Sequence, residues 1–166
     1  MNKTMEERIR IIEDREEILR LKARYCNVND GGWNGVPTHH DVEALVNMFV
    51  PEGIWDGGPQ AGRAEGHDQI RGLFRRFGIV PFIIHNVMNP IIDIDGDTAH
   101  GDWHALITAT SPDRHALWTL GKYEEDYVRT AEGWKFKHLR FIAAANAPYE
   151  LGWGKSQYGP PNEFSS

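Results

Sequence analysis

One histidine lies on a predicted strand face that points toward the protein interior. In the stretch PFIIHNVMNPIIDI, period-two alternation places His85 on the same face as Ile83, Val87 and Asn89. An imidazole on an apolar, inward face has its pKa and tautomer set by its neighbours, so it can serve as a general base. The alternative is a core histidine that bonds to a backbone carbonyl. His85 is therefore a candidate catalytic residue.

A run of polar residues, YCNVNDGG, ends the first predicted helix. Asp30 is its most informative member, because an unpaired carboxylate is costly to bury. It either caps the helix at the surface or accepts a hydrogen bond from an inward histidine. In the second case Asp30 would fix the tautomer of His85 and stabilise its imidazolium. The two residues form a candidate dyad.

The remaining histidines include two on one later strand and two in a loop. His100, Asp102 and His104 alternate on one face of a later strand, a spacing that could bind a metal ion. The opposite face is more apolar and is the better inward face; it carries Ala99, Gly101, Trp103, Ala105 and Ile107. The triplet then lies on the outer side, and we expect no metal and no organic cofactor. His39 and His40 lie in a loop, where we expect them to be exposed or over the mouth of a pocket.

The composition excludes several classes of protein. The 166 residues include 18 Lys and Arg against 24 Asp and Glu, a net charge of −6, whereas a nucleic-acid-binding surface is basic. No segment approaches the roughly 18 apolar residues of a membrane span, and the charged N-terminus lacks the apolar run of a signal peptide. We therefore expect a cytoplasmic protein that binds neither nucleic acid nor membrane. Six Trp, five Tyr and seven Phe are enough to line a pocket for a small hydrophobic or aromatic molecule.

The hydrophobic periodicity predicts the elements that position these residues. The first helix runs from about residue 5 to Asn29, with two apolar series made of Ile11, Ile18 and Tyr25 and of Ile12, Leu19 and Cys26. A second helix has Asp41 as its N-cap, and a third follows a short extended stretch. Four strands joined by turns come next, over 81–94, 98–109, 115–129 and 133–145. This order predicts one α+β domain over 1–147 and an aromatic, Gly- and Pro-rich tail over 148–166.

Three stretches, ILRLKARYCNVNDGGWN, HNVMNPIIDIDGDTAHGDW and YVRTAEGWKF, resemble the nuclear transport factor 2-like superfamily, in particular its SnoaL-like branch. The resemblance covers roughly residues 5–145 in the same element order. It implies a cone-shaped fold, in which a curved antiparallel sheet wraps around a pocket closed by three helices. The superfamily hosts lyases, isomerases, cyclases and non-catalytic modules, so the fold alone does not give the function.

The resemblance also implies a site. In the superfamily's cofactor-independent lyases, such as scytalone dehydratase and hexachlorocyclohexane dehydrochlorinase, a helix-end Asp and a sheet His form the catalytic dyad. Asp30 and His85 fall on those positions, and Asn89 falls on an Asn that follows the His. Bile-acid 7α-dehydratase has a Tyr five residues before its Asp, which matches Tyr25. Residues five apart on a helix differ by about 140° in direction, so Tyr25 and Asp30 converge only if the helix unwinds near Gly31.

Two departures leave the substrate open. Trp103 stands where scytalone dehydratase has a second histidine, and Trp55 or Asp56 stands near the position of its short-strand tyrosine. In a cone fold the core of the open end is also the pocket wall. The expected substrate-binding side chains, beside Asn89, are Trp55, Trp103, Trp118, Phe82 and Phe136.

The sequence thus predicts a cofactor-independent lyase that acts on a small hydrophobic, cyclic or aromatic molecule, with His85 as base, Asp30 as its partner and Tyr25 as a hydrogen-bond donor. The first alternative is an aldol-type cyclase or isomerase with the same dyad. The second is a non-catalytic ligand-binding or assembly subunit, which requires Asp30 to face solvent and His85 to have only a backbone partner. Relatives with a curved sheet bury its outer face in oligomers, so we expect a dimer or trimer. The aromatic tail is expected to cover part of the pocket mouth.

Overall fold

The computed structural model describes residues 4–158, which form one sheet packed against helices. The helices are α1 (Met5–Asn29), α2 (Val42–Asn47), α3 (Gly58–Ala61), α4 (Gly66–Phe77) and α5 (Gly152–Lys155), with a 3-10 turn at Trp33–Gly35. The strands are β1 (Phe49–Asp56), β2 (Arg63–Glu65), β3 (Phe82–Asp95), β4 (Thr98–Thr110), β5 (Ala116–Thr130) and β6 (Gly133–Pro148). The predicted α+β class is confirmed.

Local capping explains where the helices begin. At the start of α1, Thr4 Oγ1 accepts the backbone N–H of Glu7, and the Glu7 carboxylate accepts the backbone N–H of Thr4, so two otherwise unpaired donors are satisfied. At the start of α2, the Asp41 carboxylate accepts the N–H of Ala44, as predicted from the sequence. α1 ends at Asn29 because Asp30 is already extended and Gly32 has a left-handed backbone, with φ of 101°.

The sheet is mixed and open, with the strand order β2-β1-β6-β5-β4-β3. All neighbouring strands are antiparallel except β1 and β6, which run parallel. The expectation of a wholly antiparallel sheet is wrong at this pair. From β1 the chain passes through β2 and α4 to the far edge at β3, and three successive hairpins then return it to β1. This path leaves β3 as an edge strand.

The core lies between α1, α2, α4 and one face of the sheet. Ile18, Leu21 and Tyr25 of α1 are buried, whereas Ile12, expected in the apolar stripe, is 67% exposed. Along β4 the inner face is the predicted one, with Ala99, Trp103, Ala105 and Ile107 buried. Within residues 4–158 no helix is long and apolar enough to cross a membrane.

The described part of the C-terminal tail packs on the end of β5 and β6. Trp118 stacks on Tyr149 at 6.0 Å between ring centroids and meets Trp153 edge-on at 6.3 Å. The backbone N–H of Asn146 donates to the carbonyl of Gln157 at 2.9 Å, so the tail extends the sheet beside β6. The tail's Phe164 lies outside the described residues. Coverage of a substrate pocket by this segment stays a prediction.

Candidate active site

The end of α1 lies on the free edge of β3. Asp30 terminates the helix, its backbone N–H donating to the carbonyl of Cys26 at 2.8 Å. The next residue, Gly31, donates its N–H to the carbonyl of Ile83 at 3.1 Å, forming a single antiparallel bridge. An edge strand has unpaired backbone groups, and this bridge uses one of those of β3. It fixes the position of Asp30 next to His85.

Gly31 is required at this crossing because another segment passes directly over it. A Cβ at position 31 would lie 2.4 Å from the backbone nitrogen of Thr38 and 2.6 Å from its Cα. Thr38 is itself fixed, since its hydroxyl donates to the carbonyl of Val80 at 2.6 Å. The loop after α1 is therefore packed onto the dyad's backbone.

Asp30 and His85 are in direct contact. Asp30 Oδ1 accepts the backbone N–H of His85 at 2.9 Å and lies 2.7 Å from His85 Nδ1. Both side chains are nearly buried, 6% and 8% exposed. A carboxylate accepts hydrogen bonds, so His85 Nδ1 carries a proton and the lone pair of the neutral ring is on Nε2. That nitrogen makes no hydrogen bond among residues 4–158.

Tyr25 lies in the core beside Trp55, whose indole N–H donates to the Tyr25 hydroxyl at 2.8 Å. The Tyr25 ring packs edge-on against Tyr123 and Phe136. Burial raises the pKa of Tyr25 well above its usual value, so the phenol stays protonated. Its own proton is available, since the Trp55 bond uses the oxygen as an acceptor. No direct bond joins Tyr25 to Asp30 or His85 in the described structure, and its catalytic role stays a prediction.

The predicted pocket residues are divided between the core and the surface. Trp55, Trp103 and Phe136 are buried on the inner side, and Trp103 donates its indole N–H to the Tyr127 hydroxyl at 3.1 Å. Phe82 is 37% exposed at the start of β3, and its ring is 2.9 Å from the position that a Cβ on Gly32 would take.

Asn89 and Trp118 do not reach the site, which corrects two predictions. Asn89 has a left-handed backbone, φ 54°, inside an irregularity of β3, and its exposed amide bonds to His104 on the outer face. Strict alternation along β3 cannot show such a bulge. Trp118 pairs with Thr108 of β4, whereas His85 pairs with Ile107, so Trp118 faces the opposite side of the sheet.

His39, which the sequence analysis expected to be exposed or over the mouth of a pocket, lies near the dyad, and no role was predicted for it. It is buried, and its ring lies 5.7 Å from that of Phe74 and 5.8 Å from that of Phe77. Its backbone N–H donates to the carbonyl of Asn29 at 3.1 Å, and its Nδ1 lies 2.8 Å from Asn29 Oδ1. Burial lowers the pKa of His39 to about 4, and the proximity of the His85 imidazole acts in the same direction. The sequence signal was weak, because a loop has no periodicity.

A buried ion pair was also missed. Lys22 of α1 and Glu125 of β5 are both fully buried, with Nζ 2.5 Å from Oε1. The other Glu125 oxygen accepts the Tyr127 hydroxyl, and Lys22 Nζ sits 3.3 Å from the centroid of the Tyr123 ring. Spacing gave a usable signal, since Lys22 follows Ile18 by one helical turn and Glu125 alternates with the two tyrosines.

The outer-face histidines are engaged in pairs. His100 Nδ1 contacts Asp126 at 2.8 Å, and this hydrogen bond raises the pKa of the exposed His100 side chain. Asp102 is further away, at 3.9 Å from His100 Nε2. Over the described range, 4–158, no group of three or more His, Cys, Asp or Glu side chains is arranged to hold a metal ion.

Solved structures with the same fold were found by comparison. A candidate scytalone dehydratase from Novosphingobium aromaticivorans is 19% identical with a TM-score of 0.71, covering 91% of this chain and 95% of its own. A type 2 hexachlorocyclohexane dehydrochlorinase is 17% identical with a TM-score of 0.73, covering 91% and 96%. A nuclear transport factor 2-like protein with a cystatin-like fold, also from N. aromaticivorans, is 24% identical with a TM-score of 0.62, covering 89% and 90%.

These likenesses show that the chain shares the fold of these structures, one of which is named nuclear transport factor 2-like, and this agrees with the fold that the resemblance implied. The chain belongs to the SnoaL-like domain family, whose model matches residues 10–140. A search of curated proteins found no significant match.

Proposed function

We propose that this chain is a cofactor-independent lyase, in which His85 is the general base and Asp30 positions and charges it. The observation that carries the proposal is the 2.7 Å contact between Asp30 Oδ1 and His85 Nδ1, made by two nearly buried side chains. The similar structures named as a dehydratase and a dehydrochlorinase support an elimination reaction. The non-catalytic alternative requires Asp30 to face solvent, yet its side chain is only 6% exposed.

The proposed reaction is a base-promoted elimination. His85 Nε2 takes a proton from a substrate carbon, and the C–H electron pair forms a new π bond to the neighbouring carbon. The leaving group departs from that carbon with its bonding electrons, as water after protonation or as an anion. The imidazolium is stabilised by the Asp30 carboxylate on its other nitrogen, and it later returns the proton to solvent or to the leaving group. Tyr25, kept protonated by burial, is the proposed donor to a departing oxygen.

Apolar side chains near the dyad support the proposed class of substrate. Ile83 and Val87 flank His85 on its strand face, and the rings of Phe74 and Phe77 lie beside His39. These aliphatic and aromatic side chains favour a small hydrophobic molecule with a cyclic or aromatic ring.

The test is a screen of small cyclic alcohols, ketones and chlorinated rings, with scytalone and hexachlorocyclohexane included, for elimination and for exchange of substrate C–H with D₂O. We expect His85→Ala to abolish turnover of any substrate found, and Asp30→Asn to lower kcat by about a hundredfold or more. The matched control is the outer-face pair, because His100 and Asp126 make a similar contact at 2.8 Å but are half-exposed. His100→Ala and Asp126→Asn should leave kcat within about twofold of wild type. Full turnover by a folded His85→Ala protein would refute the proposal.

A further inference from the structure

A second imidazole, that of His39, is fixed close to the dyad by the residue that precedes Asp30. Asn29 is almost completely buried. Its backbone carbonyl accepts the backbone N–H of His39 at 3.1 Å, and its side-chain Oδ1 lies 2.8 Å from His39 Nδ1. The crossing of Thr38 over Gly31 adds a third restraint on the same loop. His39 therefore has a defined orientation beside Asp30 and is not a mobile loop side chain.

The hydrogen bonds of Asn29 fix the tautomer of His39. The Asn29 amide nitrogen donates to the carbonyl of Tyr25 at 2.8 Å, so the amide oxygen is the atom that faces His39. An oxygen can only accept here, and His39 Nδ1 must therefore carry the proton. A ring kept neutral by its burial then has its lone pair on Nε2.

That second nitrogen is unused within the protein. His39 Nε2 makes no hydrogen bond among residues 4–158, and the residue keeps only 9% of its surface exposed. The rings of Phe74 and Phe77 pack against the imidazole and offer no polar hydrogen-bond donor. A neutral acceptor set among aromatic rings attracts an O–H or N–H group of a bound molecule, because a hydrogen bond is stronger in low-dielectric surroundings.

Anchoring of the loop does not by itself require an imidazole. His39 has a left-handed backbone, φ 51°, which asparagine adopts more readily than histidine. An asparagine side chain also offers an N–H at about the place of Nδ1, so it would keep the contact with Asn29. What histidine adds is the ring and the acceptor at Nε2.

We propose that His39 Nε2 is a substrate-binding acceptor, which recognises a hydroxyl group on the hydrophobic ring of the substrate. The inference rests on the proposed function, since it assigns a substrate group to the same site, and it favours alcohols and phenols over fully halogenated rings. His39 binds and orients this hydroxyl, while His85 takes the proton from carbon.

The first experiment reads the tautomer directly. ¹⁵N NMR of the imidazoles at pH 7 should show His39 protonated at Nδ1 and unprotonated at Nε2, with assignment by comparison with His39→Asn. A His39 that is doubly protonated at this pH, or protonated at Nε2, would overturn the proposal.

The second experiment measures binding without turnover, by calorimetry or NMR titration. The probes are phenol, cyclohexanol and 2-naphthol, each paired with its methyl ether. Wild type should bind at least one hydroxyl compound about tenfold more tightly than its ether. His39→Asn should lose that preference while keeping wild-type stability, and His39→Gln, whose amide oxygen can reach the Nε2 position, should recover part of it. His40→Asn is the control and should change nothing, because His40 is exposed.

The outcomes separate the two proposals. If the hydroxyl preference persists in His85→Ala while no variant affects turnover as expected, the lyase proposal fails and the role of His39 stands. If turnover depends on His85 but wild type binds no hydroxyl compound better than its ether, or His39→Asn retains the preference, the role of His39 is refuted.

Discussion

Removal of one member of the buried pair Lys22–Glu125 should destabilise the protein strongly, and removal of both should cost clearly less than the sum of the two single losses. The two charges are in contact and both side chains are 0% exposed, so their attraction, of the order of several kcal/mol, offsets part of the cost of removing two ions from water. Lys22→Met leaves Glu125 charged without its partner, and we expect a loss of about 3–5 kcal/mol. Such a loss is a large share of the roughly 5–15 kcal/mol by which a domain is stable.

The assay is urea unfolding of four proteins: wild type, Lys22→Met, Glu125→Gln and the double variant. Glutamine keeps an acceptor for the Tyr127 hydroxyl, so the cycle isolates the charge. The loss in free energy of unfolding of the double variant should be smaller than the sum of the two single losses by about 2 kcal/mol or more. The control pair, Arg20 and Glu16, lies on the same helix at 3.1 Å but is largely exposed, and its coupling should be no more than about 0.5 kcal/mol. Additive losses at Lys22 and Glu125 would refute the reasoning.

Four further predictions concern the stability of the fold and its assembly. His39 has a folded pKa of about 4, below its unfolded value, so its contribution to stability is present above about pH 6.5 and is lost as the pH falls toward 4. Over this window the free energy of unfolding of wild type should fall by up to about 3 kcal/mol more than that of His39→Asn. Equal pH profiles of the two proteins in urea unfolding would contradict this prediction. Gly31→Ala should cost about 2 kcal/mol or more through its clash with the Thr38 backbone, whereas Gly72→Ala, in open space on α4, should be neutral or slightly stabilising. Truncation after position 147 should lower the free energy of unfolding by about 2 kcal/mol or more, since it uncovers the Trp118 ring, and an unchanged urea midpoint would show that the tail does not contribute. Light scattering at micromolar concentration should give two or three times the chain mass of 18.9 kDa, and a monomer mass would exclude the expected oligomer.

Local physical chemistry in the sequence was sufficient for the elements, for Asp30 at a helix end and for His85 on an inner strand face, whereas the pairing of the two residues was implied by the family resemblance. The helix α1 ends where predicted because an extended Asp30 and two glycines stop it, and the alternation in β4 identifies its buried face. His85 could be assigned to the inner face since Ile83 and Val87 share it by period-two spacing. These features depend on neighbours within a few residues, which a pattern records directly.

Contacts between distant segments were decided only by the tertiary structure. The parallel pairing of β1 with β6 depends on the path of the whole chain. Pro90, directly after Asn89, is a local sign of an irregularity in β3, but it does not show that Asn89 turns outward. The burial of His39 requires the loop to cross Gly31, and Lys22 becomes a core residue only because Glu125, 103 positions away, meets it. A polar group is stable inside a protein when its partner is in place, and a partner from another element is defined by the packing of the complete fold.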